Sequence, residues 1–395
     1  MMSSTDLVVG VIGAGAMGSG IAQVAAAAGH RVVLGDVNAS AVAKARTSIA
    51  KALSREVEKG RTDEARVAAI LARIGDGGDL SRGYSAFAEC GLVIEAIRED
   101  LETKRTLFRA LETVVPTDCM LATNTSSLSV TAIAGGCAHA ERVVGIHFFN
   151  PAAVMPLVEV VPGLATDASV VERAVALVKE WKKTTVVASD TPGFIVNRIA
   201  RPFYSESLRQ FEEGVADVAT IDWAMREVGG FRMGPFELMD FIGNDVNYAV
   251  TNSVYDAFYQ DSRYRPSMTQ RRLVDAGWYG RKSGRGYYDY RDGAERPEPM
   301  RDEALAAEIV GRTMAMLVNA AADALYMGVA SVDDIEMAMT KGVNYPQGLL
   351  AWGDEIGAAT ILERLKAMQR EYGEERYRPS PLLRARVRDG VALRS

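Results

Sequence analysis

The sequence predicts an α/β chain in which a doubly wound sheet is followed by two all-α helical units. Three observations carry that reading. Short β-branched apolar runs alternate with helical stretches over residues 7–188, which is the pattern of successive βαβ units. Beyond Asp190-Thr191-Pro192-Gly193 nearly everything reads as helix or loop, and Pro-Gly is a natural junction. Within that second half, one stretch recurs at a fixed spacing, the mark of a duplicated unit.

The elements follow in order. Residues 7–12 form an apolar run suited to a buried parallel strand. Gly13-Ala14-Gly15-Ala16-Met17-Gly18 comes next, and an Ala-rich helical stretch over 21–28 follows. Gly13 permits a tight turn, Gly15 leaves space for a pyrophosphate, and Gly18 lets helix and strand pack closely. The helix N-terminus offers free N–H groups to phosphates. This is the strand–turn–helix context that a Rossmann-type dinucleotide loop requires. The second strand, 31–34, ends at Gly35-Asp36. A carboxylate there accepts from a ribose 2′-hydroxyl and repels a 2′-phosphate, and Val37-Asn38 supplies no arginine. The expected cofactor is therefore NAD rather than NADP. The alternative is a Gly-rich turn with Asp36 capping the next helix.

Residues 38–75 are polar and read as a helical excursion. Strands are expected at 92–94, 120–122, 143–146, 157–161 and 185–188, with helices at 101–114 and 167–183. The predicted domains are 1–190, a nucleotide-binding domain; 191–290, a first helical unit; and 303–395, its repeat. In the repeat, Gly214-Val215-Ala216 recurs as Gly328-Val329-Ala330, and Gly234, Asp240 and Gly243 recur as Gly348, Asp354 and Gly357, each 114 positions on. Asn197-Arg198 corresponds to Gly311-Arg312. Chemistry that needs the Asn197 amide is thus confined to the first copy.

Composition sets the class. The chain has 395 residues, 48% of them apolar and 24% charged, enough for sizeable cores. A net charge of -6 argues against nucleic acid as the main partner. Three cysteines, Cys90, Cys119 and Cys137, have no metal-like spacing and suit a reducing compartment. No leader segment is read at the start, no apolar run suggests a membrane span, and the expected location is the cytoplasm. No metal site is expected.

Only three histidines can act as a general base. His30 reads as a turn residue and His139 as an exposed loop residue. His147 follows an apolar strand, at the end where α/β sheets place their ligands. Glu159 interrupts the apolar strand Leu157-Val158-Glu159-Val160-Val161, where a carboxylate needs a partner. The two can meet across the sheet, the carboxylate setting the imidazole tautomer and stabilising the imidazolium. The alternative is a solvent-facing Glu on an edge strand and a core His. Ser126, in Asn124-Thr125-Ser126-Ser127, can bond a substrate oxygen or the nicotinamide, or cap the helix near Val130. Asn197 can polarise a carbonyl with a neutral amide, or cap a helix.

Together these residues resemble the (S)-3-hydroxyacyl-CoA dehydrogenase family over nearly the whole chain. The most specific segments are 13–18, 124–128, 147–151, 157–161 and DTPGFIVNR at 190–198, with KSGRGYY at 282–288 similar to a C-terminal motif. The resemblance implies an acyl-CoA substrate, with His147 as base, Glu159 as its partner, and Ser126 and Asn197 orienting the substrate. It implies cofactor contacts at Gly13 to Gly18, Asp36, Glu99, Lys104, Ser126, Asn150 and Lys282. Lys59 matches a CoA-contacting position, against the plainer reading of a solvated surface lysine. The tandem helical units are similar to the longer bacterial 3-hydroxybutyryl-CoA and 3-hydroxyadipyl-CoA dehydrogenases of degradative metabolism. A short-chain substrate such as 3-hydroxybutyryl-CoA is expected, with fatty acid β-oxidation as the metabolic setting. The protein is expected to be a monomer with a pseudo-dimeric repeat, or a homodimer. Two rivals stand: an NAD-dependent dehydrogenase of a free hydroxy acid or sugar acid, and a non-catalytic relative.

Overall fold

A computed structural model describes residues 7–395. The chain divides into two compact units, Met1–Thr191 and Pro192–Ser395. The first holds one sheet of eight strands: β1 (Val8–Ile12), β2 (Arg31–Asp36), β3 (Ile74–Asp79), β4 (Leu92–Glu95), β5 (Met120–Thr123), β6 (Val143–Phe148), β7 (Leu157–Pro162) and β8 (Thr184–Val187). Their order is β3-β2-β1-β4-β5-β6-β7-β8. All neighbours are parallel except β6 and β7, which run antiparallel and place His147 opposite Glu159.

Alternation within the strands divides the core between the two faces. Val9, Val11, Val32, Leu34 and Ile94 pack with Ile21 of α1 (Ala16–Ala27), Ile49 of α2 (Ala39–Glu58), Ile70 of α3 (Glu64–Arg73). Ile12, Val93 and Leu121 pack on the other face, with Phe108 of α4 (Leu101–Glu112) and Ile133 of α5 (Val130–Ala134). Val178 of α6 (Ala168–Glu180) belongs to the first face. Sheet direction then brings the C-terminal ends of β1, β2, β4, β5 and β6 to one edge, where a doubly wound fold places its ligand.

The helical excursion consists of two helices, α2 and α3, and it ends in a strand that the sequence reading omits. β3 has the sequence IGDGGD and lies parallel to β2 at the sheet edge. Its glycines carry no alternating pattern, so pairing with β2 makes it a strand. His30 follows the turn at 28–29, directly before β2. It is 2% exposed, with Nδ1 3.2 Å from the Leu7 carbonyl and its ring edge-on to Trp181, and burial lowers its pKa.

The second unit is helical throughout. Its first part holds α7 (Val196–Ile199), α8 (Arg201–Glu212), α9 (Val218–Trp223), α10 (Pro235–Ile242), α11 (Asn244–Ala257) and α12 (Met268–Asp275). Its second holds α13 (Glu303–Tyr326), α14 (Val332–Gly342), α15 (Leu349–Ile356), α16 (Ala358–Tyr372) and α17 (Pro381–Asp389). α10 and α15 coincide at both ends after a shift of 114. The caps repeat as well. Asp222 accepts from the Phe236 and Glu237 amides at the start of α10, and Glu336, its counterpart, accepts from Leu350 and Ala351 at the start of α15. A Cβ on Gly234 or Gly348 would strike these carboxylates at 2.3 and 1.9 Å. α13 is long and apolar enough to cross a membrane by length and composition, contrary to the sequence reading, with 61% of its apolar window buried inside the protein. It is the central helix of this unit, packed against α8, α15, α16 and α17.

Candidate active site

The nucleotide loop is shaped by what its glycines leave out. Gly13 has φ +102°, and a Cβ there would lie 2.5 Å from the Ala96 carbonyl oxygen. A Cβ on Gly18 would lie 1.7 Å from the Gly13 carbonyl, so only glycine lets α1 approach β1. Gly15 differs: a Cβ there would meet nothing within 4 Å. Packing does not require Gly15, and the space beside it suits a group that comes as close to the backbone as a pyrophosphate does. Gly15 is also the N-cap of α1 and has no capping side chain, so the first turn, with Ala16, Met17 and Gly18, keeps its N–H groups for a ligand.

Asp36 stands at the C-terminal end of β2. Its Oδ2 accepts from Ala14 N at 2.7 Å and its Oδ1 from Asn38 N at 2.9 Å. The carboxylate is thereby fixed at the mouth of a cleft of about 830 Å³ walled by Ile12, Val37, Tyr84, Ile97 and Leu107. Apolar walls with one oriented carboxylate fit an adenosine, the ring between the walls and the ribose at Asp36. The helix-cap alternative fails, because Asn38 caps α2 by accepting from Ser40 N.

Further along the edge, Glu95 ends β4 and is fully buried. Its Oε1 is 2.5 Å from Lys104 Nζ and its Oε2 accepts from Thr123 Oγ1 at 2.7 Å. Burial pushes its carboxyl up in pKa, against the pull of Lys104. Lys104 is itself buried and reaches Glu99 at 3.1 Å. Glu99 Oε1 in turn accepts from Ser126 N at 2.7 Å, Ser126 Oγ at 3.2 Å and Thr125 Oγ1 at 3.0 Å. Glu99, Lys104 and Ser126, predicted separately, therefore form one chain of bonds. Glu95 and Thr123 were missed, although Glu95 ends an apolar strand much as Glu159 interrupts one. Ser126 is free of the cap role: Ser129 caps α5, accepting from Ala132 N, while Asp190 accepts from Val130 N and Thr131 N.

His147 lies within β6, one residue inside its end, and is 5% exposed. Its Nδ1 is 2.7 Å from Oε2 of Glu159, which is fully buried. An ionised carboxylate only accepts, so Nδ1 carries the proton and Nε2 is the basic nitrogen. Phe149 covers the ring at 4.5 Å between centroids. Asn124 Oδ1 accepts from Phe148 N at 2.8 Å and ties the end of β5 to the end of β6. Asn150 is exposed and borders, with Ala14, Gly15 and Ala16, a second cleft of about 790 Å³. Lys183, missed in the sequence because only the fold brings it there, holds the loop after Asn150 by donating to the Ala152 and Met155 carbonyls at 2.6 and 2.7 Å. Burial lowers its pKa to about 8.

Three further predicted residues have surroundings of their own. Lys59 caps the C-terminal end of α2, exposed, 3.3 Å from Glu56. In the helical unit, Lys282 pairs with Asp245 at 2.6 Å. Asn197 lies inside α7, whose N-cap is Ile195, so it is not the helix cap of the alternative reading. His139 is exposed beside Glu141. Among the described residues no cluster of His, Cys, Asp and Glu could hold a metal ion.

Comparison with known proteins agrees with this geometry. Residues 8–191 match the model of the 3-hydroxyacyl-CoA dehydrogenase NAD binding domain, which identifies the cofactor as NAD. Residues 193–290 and 309–394 match the 3-hydroxyacyl-CoA dehydrogenase C-terminal domain. The chain is 42% identical to the 3-hydroxyadipyl-CoA dehydrogenase of Escherichia coli K12, over 96% of this chain and 97% of that one. It is 41% identical to a probable 3-hydroxybutyryl-CoA dehydrogenase of Bacillus subtilis, over 71% of this chain and 96% of that one. A crystal structure of 3-hydroxybutyryl-CoA dehydrogenase from E. coli superposes with a TM-score of 0.91 at 40% identity, covering 98% of this chain and 99% of that one. The chain is an enzyme and belongs to the 3-hydroxyacyl-CoA dehydrogenase family.

Proposed function

We propose that the enzyme reversibly oxidises the 3-hydroxyl of a short (S)-3-hydroxyacyl-CoA to the 3-ketone, with His147 as its base. The observation that carries this reading is the buried His147–Glu159 pair at the ligand edge of the sheet. Bound NAD supplies the hydride acceptor. His147 Nε2 takes the hydroxyl proton, and the Glu159 carboxylate stabilises the imidazolium that forms. Ser126, its backbone and hydroxyl both fixed by Glu99, orients the substrate oxygen or the carboxamide beside it. Lys104 and Glu95 position Glu99. Asn197 is assigned to the developing carbonyl on the family resemblance, a neutral donor that leaves the base undisturbed. The CoA arm is assigned to the second cleft, whose lining includes Lys44, Arg61 and Asn150, with Lys59 at the surface nearby in sequence. Lys282, which pairs with Asp245, is assigned to the cofactor on the family resemblance. A cytoplasmic location suits three unpaired cysteines, two of them buried.

The test is reduction of acetoacetyl-CoA with NADH. His147→Gln should lower kcat by roughly 10²-fold or more. Near wild-type kcat in that variant would remove His147 from the role. Turnover of free 3-hydroxy acids in preference to CoA esters would favour the free-acid reading instead.

A further inference from the structure

Three buried basic side chains of the nucleotide-binding unit face a carboxylate. Lys104 meets Glu95 at 2.5 Å, His147 meets Glu159 at 2.7 Å, and Arg142 approaches Glu112 at 3.8 Å. Lys183 is built differently. It is half-buried, and among the described residues no carboxylate pairs with it. Burial is the cause that lowers its pKa to about 8. Its ammonium holds two backbone carbonyls instead, those of Ala152 and Met155.

The sheet explains how one lysine reaches both. β8 pairs with β7 so that Thr184 lies level with Leu157. Lys183 comes one residue earlier, beside the end of the loop 149–156 that joins the His147 strand to the Glu159 strand. Thr184 N donates to the Pro156 carbonyl at 2.8 Å, while Val154 N and Met155 N both donate to the Pro151 carbonyl at 2.9 Å. Among the described residues no backbone N–H donates to the Ala152 or Met155 carbonyl. Carbonyls turned away from water need a donor, and Lys183 supplies it for both.

The loop has two sides. Ala152 is 1% exposed and packs on α1, where a Cβ on Gly20 would lie 3.0 Å from the Ala152 Cβ. Pro151, Ala153 and Val154 are exposed, and with Asn150 they wall the cleft of about 790 Å³ that Gly15 and Ala16 also border. Lys183 is absent from that lining. It holds the wall from behind.

We infer that Lys183 is a positioning residue for substrate binding: its ammonium pins the loop 149–156 and so fixes the wall of the cleft that takes the CoA arm. The inference rests on the placement of that arm in the proposed function. The chemical step does not pass through Lys183, since the strand register from Val144–Pro162 to Phe148–Val158 sets His147 opposite Glu159 without the loop. Loss of the ammonium therefore costs binding and spares turnover. A wall that must be ordered each time a ligand arrives takes its ordering cost out of the affinity.

The experiment is Lys183→Met, assayed by reduction of acetoacetyl-CoA with NADH at pH 7. KM for acetoacetyl-CoA should rise about ten-fold or more, while kcat and KM for NADH stay within about three-fold of wild type. A merely structural lysine would lower the fraction of active enzyme instead, and kcat would fall at unchanged KM. Lys183→Arg, which keeps the charge and has donors for two carbonyls, should bring KM back to within about three-fold of wild type. Where the Met variant does not fold, Lys183→Gln is read in the same way. Hydrogen exchange gives a second readout: the Val154 and Met155 amides should exchange about ten-fold faster in Lys183→Met, and free CoA should slow them in the wild-type protein. KM for acetoacetyl-CoA within about two-fold of wild type in a folded variant would overturn the role of Lys183 and leave the dehydrogenase reading standing. Slowing of exchange by NADH and not by CoA would overturn the placement of the CoA arm, and the inference with it.

Discussion

Glu159→Gln separates a positioning carboxylate from a structural one. The side chain is fully buried, bonds to His147 Nδ1 at 2.7 Å, and sits directly opposite it in the antiparallel register of β6 and β7. Gln keeps the shape and removes the charge. A hydrogen bond to an ionised partner contributes about 1.5–3 kcal/mol. If that contribution is realised as the imidazolium forms, its loss lowers kcat by about 10- to 150-fold. The loss grows toward about 10⁴-fold if the amide turns its NH₂ to the ring, because Nδ1 must then accept and the proton moves to Nε2, as in triads that lose their carboxylate. The assay is steady-state reduction of acetoacetyl-CoA, with the unfolding transition measured on the same preparation. kcat and kcat/KM should fall together, since the interaction belongs to the transition state, while the transition temperature stays near the wild-type value. A fall in kcat smaller than about three-fold, with the fold intact, refutes the reasoning.

Other perturbations test the frame around that pair. Asp36→Ala should raise KM for NADH and narrow its preference over NADPH by about ten-fold or more, because the carboxylate both accepts from the ribose and repels a 2′-phosphate; an unchanged preference would place cofactor selection elsewhere. Lys104→Met leaves the buried Glu95 without its cation and should cost about 3–5 kcal/mol of stability, read from denaturant midpoints. Burial pushes the Cys90 and Cys119 thiols up to about 12, above the usual value near 8.5. Both are also fully buried, so at pH 8 they should react with iodoacetamide at least about 10³-fold more slowly than in the unfolded chain, and comparable rates in folded and unfolded protein would contradict their burial.

What the sequence made legible was local, or was charge set against an apolar pattern. The Gly13 loop and Asp36 could be read because strand, turn and helix are contiguous. His147 and Glu159 could be read because each ends or interrupts an apolar run, and pairing of adjacent strands does the rest. Glu95 carried the same signal and passed unnoticed, since LVIE is short and a terminal Glu there resembles a loop residue. β3 was invisible for a different reason: in IGDGGD neither period nor β-branching marks a strand, and only the neighbouring β2 backbone makes it one. Lys183 and Arg201 look like any surface cation in sequence. Their burial is set by residues 28–31 positions away for Lys183 and by Thr251 and Tyr345 for Arg201. Propensity and periodicity carry no information at that range.

The tandem makes a prediction about assembly from the way its copies meet. Arg198 and Arg263 of the first copy reach Asp323 of the second, while Arg312 and Arg376 of the second reach Glu206 of the first. Arg198 and Arg312 are counterparts at the 114 spacing, Arg263 and Arg376 begin the RYRPS segments that recur at 263–267 and 376–380, and the aromatic covers match too: Arg198 lies 4.9 Å from the Phe258 ring and Arg312 5.0 Å from the Tyr372 ring. Phe231 and Tyr345, also counterparts, touch each other at 5.0 Å between centroids. Such reciprocity, with matched residues in mutual contact, is the arrangement of a two-fold interface, which closes on itself and leaves no second copy of the same patch to offer. The first copy's patch is already occupied by the second. We therefore expect light scattering to give the mass of one chain, 42.6 kDa. A dimer joined through α8 and α13 would contradict this, because those helices would then have to leave the contact they already make with each other.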